Sequence, residues 1–199
     1  IYYRERTAQM KLIAITGGIG SGKSVVSRVL RLMGKPVYDT DCQAKRLMSE
    51  STSLRQQLIA LFGQEVFDGG KLDRKYLSSR VFDNPTALGQ LNRIVHPAVK
   101  SDFINWARLQ HSDIVFMETA LLYESGLNQV VDCIWKVTAP EELRIRRVLA
   151  RSGLQEKECR QRMQAQVKEM QSNEKDMIIV NDGVRAVIPQ VVHLLGLLN

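Results

Sequence analysis

The sequence predicts an α/β fold: a parallel five-stranded sheet flanked by helices, with a helical insert and an arginine-bearing helical lid. Three observations predict it. Short apolar runs alternate with helical periodicities, the pattern that gives parallel strands joined by right-handed crossovers. The first run is followed at once by "GGIGSGKS", which puts four glycines within Gly17 to Gly22. A long charged stretch then separates the second apolar run from the third.

Taken in order, "KLIAIT" (Lys11 to Thr16) is apolar and β-branched, as a buried parallel strand is. Val25, Val26, Val29, Leu30 and Met33 recur at three- and four-residue steps, so a helix follows the glycines. Gly34 ends it and Pro36 bars its resumption. "PVYDTD" supplies a second strand, Val37 to about Asp39. From Gln43 to Gln110 the pattern is helical, broken at "FDGG" and "DNP", with a new helix expected to start at "HPAV" and no strand signal of weight. Strands return at "DIVFMET" (Asp113 to Thr119), "DCIWKVTA" (Asp132 to Ala139) and "DMIIVND" (Asp176 to Asp182). A charged helical stretch, Pro140 to Lys175, lies between the last two, and a helix near Val184 to Leu198 closes the chain. The expected division is a core of 10–42, 112–140 and 176–199, an insert of 43–111 and a lid of 141–175. Met10, directly before the first strand, reads as a natural start, with residues 1–9 upstream or cloning-derived.

A chain of 199 residues suits one domain with an appended subdomain. With 44% hydrophobic and 25% charged residues it can bury a sizeable core and remain soluble. No apolar run approaches the roughly 18 residues that cross a bilayer, and "IYYRERTAQM" lacks a secretory core. Neither a membrane partner nor export is therefore expected. Cys42, Cys133 and Cys159 are odd in number and form no CxxC pair, which argues against a disulfide framework or zinc site and for a reducing cytoplasm. The net charge of +7 favours anionic partners without separating nucleic acid from phosphorylated small molecules.

The glycines fit G-x-x-x-x-G-K-[ST] as Gly17, Gly22, Lys23 and Ser24, after a strand and opening a helix. Bare backbone lets successive N–H groups curl around phosphate oxygens, and the helix N-terminus favours the anion. The segment Gly17, Gly18, Ile19, Gly20, Ser21, Gly22, Lys23, Ser24, Val25 is thus the expected nucleoside-triphosphate cradle. Lys23 would reach the β- and γ-phosphates, and the Ser24 hydroxyl would ligate Mg²⁺.

Asp39 and Asp41 close the second strand, where ligand crevices of open α/β sheets lie. In an extended segment residues two apart face the same side, so one carboxylate could take a proton from an acceptor hydroxyl while the other positions a lysine or a metal-bound water. Helix capping by the same pair is the competing reading. Further on, Glu141 to Lys175 holds nine basic and six acidic residues. Arg144, Arg147 and Arg151 fall on one helical stripe, as a lid that clamps transferring phosphates requires. A solvated basic face is the bland alternative.

Together "ITGGIGSGKS", "PVYDTD", "IVHPAV", "LLYESGL", "RSGLQEKECRQRMQAQ" and "IIVNDG" resemble the dephospho-coenzyme A kinase family through nearly the whole chain from Met10. The resemblance implies a P-loop kinase core, ATP as donor, the ribose 3′-hydroxyl of dephospho-coenzyme A as acceptor, and a coenzyme-A-binding helical insert. It makes Asp41 the base with Asp39 beside it, puts Arg144 and Arg151 in the lid, and carries Asn181 to the adenine site. The family often has Asp and Pro before its Leu-Leu, where this chain reads "METALLYE", so Glu118 and Glu124 compete for the acidic role.

His96-Pro97 reads as a helix start, and His111 and His193 as structural. Trp106 and Trp135 read as packing residues. The expected assembly is a monomer or small homo-oligomer. Another small-molecule P-loop kinase is the nearest rival. A nucleic-acid-binding NTPase is disfavoured, because no Asp-Glu pair follows an apolar strand and the basic residues gather in the lid.

Overall fold

The computed structural model describes residues 10–166 and 176–198. Residues 1–9, with the expected start at Met10, and Lys168, Glu169, Glu174 and Lys175 of the expected lid lie outside that description or at its edge. The described chain forms two compact units, one of residues up to Asp39 and from Arg108 onward, the other Thr40–Ala107.

The first unit is built on a five-stranded parallel sheet in the order β2-β5-β1-β6-β7. Its strands are β1 (Lys11–Thr16), β2 (Val37–Asp39), β5 (Ile114–Glu118), β6 (Cys133–Thr138) and β7 (Met177–Val180). Helix α1 (Lys23–Leu32) follows β1, the pair α6 (Glu141–Ser152) and α7 (Glu156–Ala165) follows β6, and α8 (Val187–Gly196) follows β7. Ile13, Ile15, Phe116, Trp135, Val137 and Ile179 of the sheet pack with Val26 and Leu30 of α1 and Val191 and Leu194 of α8. Alternate residues of each strand supply this face, as the two-residue repeat of a strand requires. Trp135 sits tilted on Phe116 with ring centroids 5.1 Å apart, a packing role as expected. Because β1 is central, the loop that leaves its carboxyl end is fixed on both sides by β5 and β6.

The second unit holds α2 (Thr40–Glu50), α3 (Thr52–Phe62), α4 (Arg74–Val81) and most of α5 (Pro85–Arg108). Its core centres on Leu58, Val66 and Leu77. Two expectations are corrected here. "FDGG" is not a bare break: Phe67–Asp68 (β3) and Lys71–Leu72 (β4) pair as a small antiparallel hairpin. Gly69 and Gly70, at φ 52° and 82°, supply the left-handed pair that a two-residue turn needs. "HPAV" does not start a helix either, since Pro97 lies inside α5. Its ring is on the exposed face, while Val95, Val99, Phe103 and Ala107 are buried at four-residue steps. Burying three large apolar side chains at about 1.5–3 kcal/mol each outweighs a proline defect of about 3 kcal/mol. The real start is Asn84, whose side chain accepts from the Ala87 N–H at 3.0 Å.

Among the described residues no helix is long and apolar enough to cross a membrane.

Candidate functional site

β1 ends at Thr16, and the glycine loop runs from there to the first turn of α1. Gly22 occupies the cap position at φ 96°, a left-handed conformation that L side chains rarely adopt. The Val25 and Val26 N–H groups donate to its carbonyl at 3.0 and 3.4 Å, and Ser21 N–H donates to Gly18 at 3.1 Å. Lys23 Nζ reaches back to donate to the Gly17 and Gly18 carbonyls at 2.6 and 3.5 Å. The side chain therefore folds back along the loop. Ser24 and Val25 in the next turn are exposed, so the Ser24 hydroxyl is open to an oxygen-preferring cation. Mg²⁺ is usually held by one or two protein oxygens together with substrate phosphates, and the Ser24 hydroxyl fits the place of one such oxygen.

Helices α6 and α7, the described part of the expected lid, lie against the loop. α6 and α7 are joined by an apolar cluster of Ile145, Val148, Cys159 and Met163, with Ile19 of the loop packed against it. On the outside, Arg160 of α7 pairs with Glu141 and Glu142 of α6 at 2.9 and 3.2 Å and with Glu156 at 2.8 Å. Arg144 is only 8% exposed, and its Nε donates to the Ile19 carbonyl at 2.9 Å. Its Nη2 is buried with no hydrogen-bond partner among the described residues. Burial pulls this guanidinium below its ordinary value, with Glu141 and Cys159 opposing.

Arg147 makes the widest set of contacts. Its Nη1 donates to the carbonyls of Asn181, Gly20 and Ser21 at 3.0, 3.4 and 3.5 Å, and its Nη2 to Asn181 Oδ1 at 3.2 Å. Asn181 Nδ2 donates in turn to the Ser21 carbonyl at 3.0 Å. A Cβ on Gly22 would stand 2.0 Å from that Nδ2, so only glycine admits the amide so close. Asn181 therefore holds the loop from below. Arg151 is exposed in the last turn of α6, where a cation suits the helix dipole. Sequence reasoning had all three arginines on one stripe and carried Arg144 and Arg151 to the site. Arg147 is the one that sequence alone passed over, although its spacing had marked it.

The acidic residues divide. Asp39 is the last residue of β2 and half-buried, but α2 begins at Thr40, so Asp41 is the exposed second residue of a helix. The expectation that both carboxylates face one way along an extended segment is thereby corrected. Asp41 in the first helical turn is favoured by the dipole, in line with the capping reading of the pair. Beside Asp39 in register stands Glu118, at the end of β5. Burial pushes the Glu118 carboxyl up, and the charge of Asp39 adds to this; the Ser27 hydroxyl, Lys23 and Arg31 pull it back. Glu124, by contrast, is exposed on the following turn. Sequence left these two glutamates level, and strand pairing puts Glu118 with Asp39.

His111 and His193 are exposed. Trp106 stacks on Phe103 within the second unit, with centroids 6.3 Å apart. Among the described residues no group of three His, Cys, Asp or Glu could hold a metal by itself.

Comparison with known proteins gives three findings. Residues 11–186 match the profile of the family described as dephospho-CoA kinase. A dephospho-CoA kinase of Bacteroides fragilis is 42% identical over 188 residues, covering 94% of this chain and 92% of that one. One from Porphyromonas gingivalis is 43% identical over 189 residues, covering 94% and 93%. Among solved structures, one from Thermus thermophilus aligns with a TM-score of 0.78 at 33% identity over 96% of each chain. A dephospho-CoA kinase from Campylobacter jejuni aligns with a TM-score of 0.69 at 22% identity, over 94% of this chain and 96% of that one, and supports the fold.

Proposed function

The chain belongs to the dephospho-CoA kinase family, and from that premise we propose how its own residues carry out the reaction. The enzyme phosphorylates dephospho-coenzyme A with ATP, giving coenzyme A and ADP in coenzyme A biosynthesis. The observation that carries the reading is the glycine loop at the end of the central strand, with lid arginines bonded to its carbonyls.

Phosphoryl transfer asks for in-line placement of donor and acceptor and for neutralised charge on the moving group. The backbone of Gly17 to Ser24 holds the triphosphate, and Lys23 screens its β- and γ-oxygens. Mg²⁺, when bound through Ser24 and the nucleotide, supplies further charge neutralisation at the phosphates. Arg144 and Arg147 bring cationic charge to the rim of the cradle, while Arg151 remains available from the exposed end of α6. Asn181 steadies the loop where its strand runs into the adenine site. Asp41 accepts the proton of the ribose 3′-hydroxyl as that oxygen attacks the γ-phosphorus and the bond to ADP breaks. Asp39, with Glu118 beside it, completes the acidic side of the site.

The unit Thr40–Ala107 supplies the acceptor-binding region. It contains a cleft of about 480 Å³, apolar at Leu47, Leu54, Ile94 and Pro97 and polar at Gln57, Arg93 and Asn105. A pantetheine arm, apolar in part and studded with amides, suits such a lining. Among the described residues Cys42, Cys133 and Cys159 form no disulfide, and we read the chain as a cytoplasmic enzyme that acts as a monomer or small homo-oligomer.

Mass spectrometry of dephospho-coenzyme A incubated with the protein, ATP and Mg²⁺ tests the reading. One phosphate gained at the 3′ position supports it. No gain there, with phosphate appearing instead on a nucleoside monophosphate or another metabolite in the same panel, would assign the chain to a different acceptor.

A further inference from the structure

We infer that Gln166 is a positioning residue: through the Ile19 amide it fastens the lid to the nucleotide loop and fixes the loop's shape. The inference deepens the kinase reading and rests on it for the identity of the ligand.

Gln166 stands directly after α7 and closes that helix with its own N–H, which donates to Met163 at 3.1 Å. Its side chain plays no part in the cap. It reaches a residue 147 positions earlier, where Oε1 accepts from the Ile19 N–H at 2.8 Å. The same Ile19 has its carbonyl bonded to Arg144 Nε at 2.9 Å, and its side chain packs into the apolar cluster between α6 and α7. One loop residue is thus gripped at all three of its handles: carbonyl by α6, amide by the end of α7, side chain by both. This accounts for an isoleucine among glycines, a position the phosphate-cradling motif leaves open. The backbone of α6 also lies flush on the next residue, since a Cβ on Gly20 would stand 2.5 Å from the Arg144 carbonyl.

A lone bond from a half-buried glutamine would be weak, because freezing the side chain costs about as much as the bond returns. Here Arg144 and the apolar cluster already fix Ile19, so Gln166 adds direction to a partner that is in place. An N–H of the loop bonded to the lid cannot also turn toward phosphate, so Ile19 sets the register from which the amides after it face the ligand. Removing the acceptor loosens α7 from the loop while leaving the sheet and the second unit as they are.

The test uses the full chain and the variant Gln166→Met, which keeps length and removes the oxygen. Three readouts are taken beside the unaltered protein: the ¹⁵N-isoleucine amide spectrum, ATP·Mg²⁺ affinity, and steady-state kinetics with dephospho-coenzyme A. The Ile19 signal should shift, and ATP should bind about fivefold more weakly, the worth of one hydrogen bond. Turnover should fall about tenfold through misplacement of the donor, while KM for dephospho-coenzyme A and the melting temperature stay unchanged. An unmoved Ile19 signal, tighter ATP binding, unchanged turnover, or a melting temperature that falls in step with activity would each overturn the inference. If the unaltered protein fails to phosphorylate dephospho-coenzyme A, the kinase reading falls by itself; the Ile19 signal and the ATP titration still decide the role of Gln166.

Discussion

Replacing Gly20 by alanine separates the lid from the loop more directly than removal of any side chain. Gly20 has φ 78°, and a Cβ there would meet three backbone atoms of Arg144: O at 2.5 Å, Cα at 2.9 Å and C at 3.0 Å. No rotamer change can relieve contacts with backbone, so α6 must retreat by about 0.9 Å to bring the first to 3.4 Å. That retreat carries the bond from Arg144 Nε to the Ile19 carbonyl, now 2.9 Å, beyond hydrogen-bonding length. The left-handed conformation costs a non-glycine residue about 1–2 kcal/mol, and the lost bond about 1 kcal/mol more. A total near 2–3 kcal/mol lowers the melting temperature by roughly 5–10 °C in a chain of this size. Gly34→Ala is the control, because Gly34 has φ 74° with nothing within 4 Å of its Cβ position and bears only the conformational cost. Differential scanning fluorimetry and ADP-release kinetics on both variants check the argument. Gly20→Ala should be the less stable of the two and lose about a hundredfold in turnover through misplaced donor phosphates, whereas Gly34→Ala should keep its turnover. Equal destabilisation by the two, or ordinary ATP affinity and turnover in Gly20→Ala, would refute the reasoning.

Lys23→Met removes the ammonium that lies along the loop, and turnover should drop by about 10²–10³ with an unchanged far-ultraviolet spectrum. Asp41→Asn should cost about 10²–10⁴ in turnover without loss of melting temperature, since the residue is exposed; near-normal turnover in a coupled ADP assay would remove Asp41 from the role of base. Glu118→Gln tests the half-buried carboxyl pair by its pH dependence. Burial holds the Glu118 proton more tightly in the folded chain than in the unfolded one, so the stability it confers belongs to low pH and is lost as pH rises through the folded value. The variant should therefore melt above the unaltered protein at about pH 8, with the gap closing at about pH 4. A gap that is constant or widens on acidification would show that folding does not tighten the hold of Glu118 on its proton.

The sheet was readable because a buried parallel strand is written locally: five apolar runs, each bounded by charge or glycine, match β1, β2, β5, β6 and β7. The errors arose where two local signals competed. After Asp39 the extended pattern could have continued through Asp41, but the helix begins at Thr40, ahead of the Gln43 that opens the helical pattern, and takes Thr40 and Asp41 into its first turn. At Pro97 a residue that favours a helix start met a continuous buried stripe from Val95 to Ala107, and the stripe decided. At Gly69 and Gly70 the glycines signalled a turn correctly; the flanking pairs were too short to show a strand period.

The site was readable to the extent that backbone forms it. A phosphate cradle needs particular φ values and an absence of side chains, and both are recorded in the residues of the loop itself. What supports the cradle is another matter, because each support crosses a long stretch of chain: 125 residues from Arg144 to Ile19, 160 from Asn181 to Ser21. A three- and four-residue spacing can show that Arg144, Arg147 and Arg151 share a stripe, but it holds no information on how far along that stripe the loop will sit. Close approach of Gly20 to the Arg144 backbone fixes the register, with Arg147 reaching the Gly20, Ser21 and Asn181 carbonyls and Arg151 exposed one turn further on. The glycines thus act twice. Their missing side chains leave bare the backbone that the proposed phosphate cradle needs, and at Gly20 and Gly22 they let a helix backbone and an asparagine amide come close to the loop.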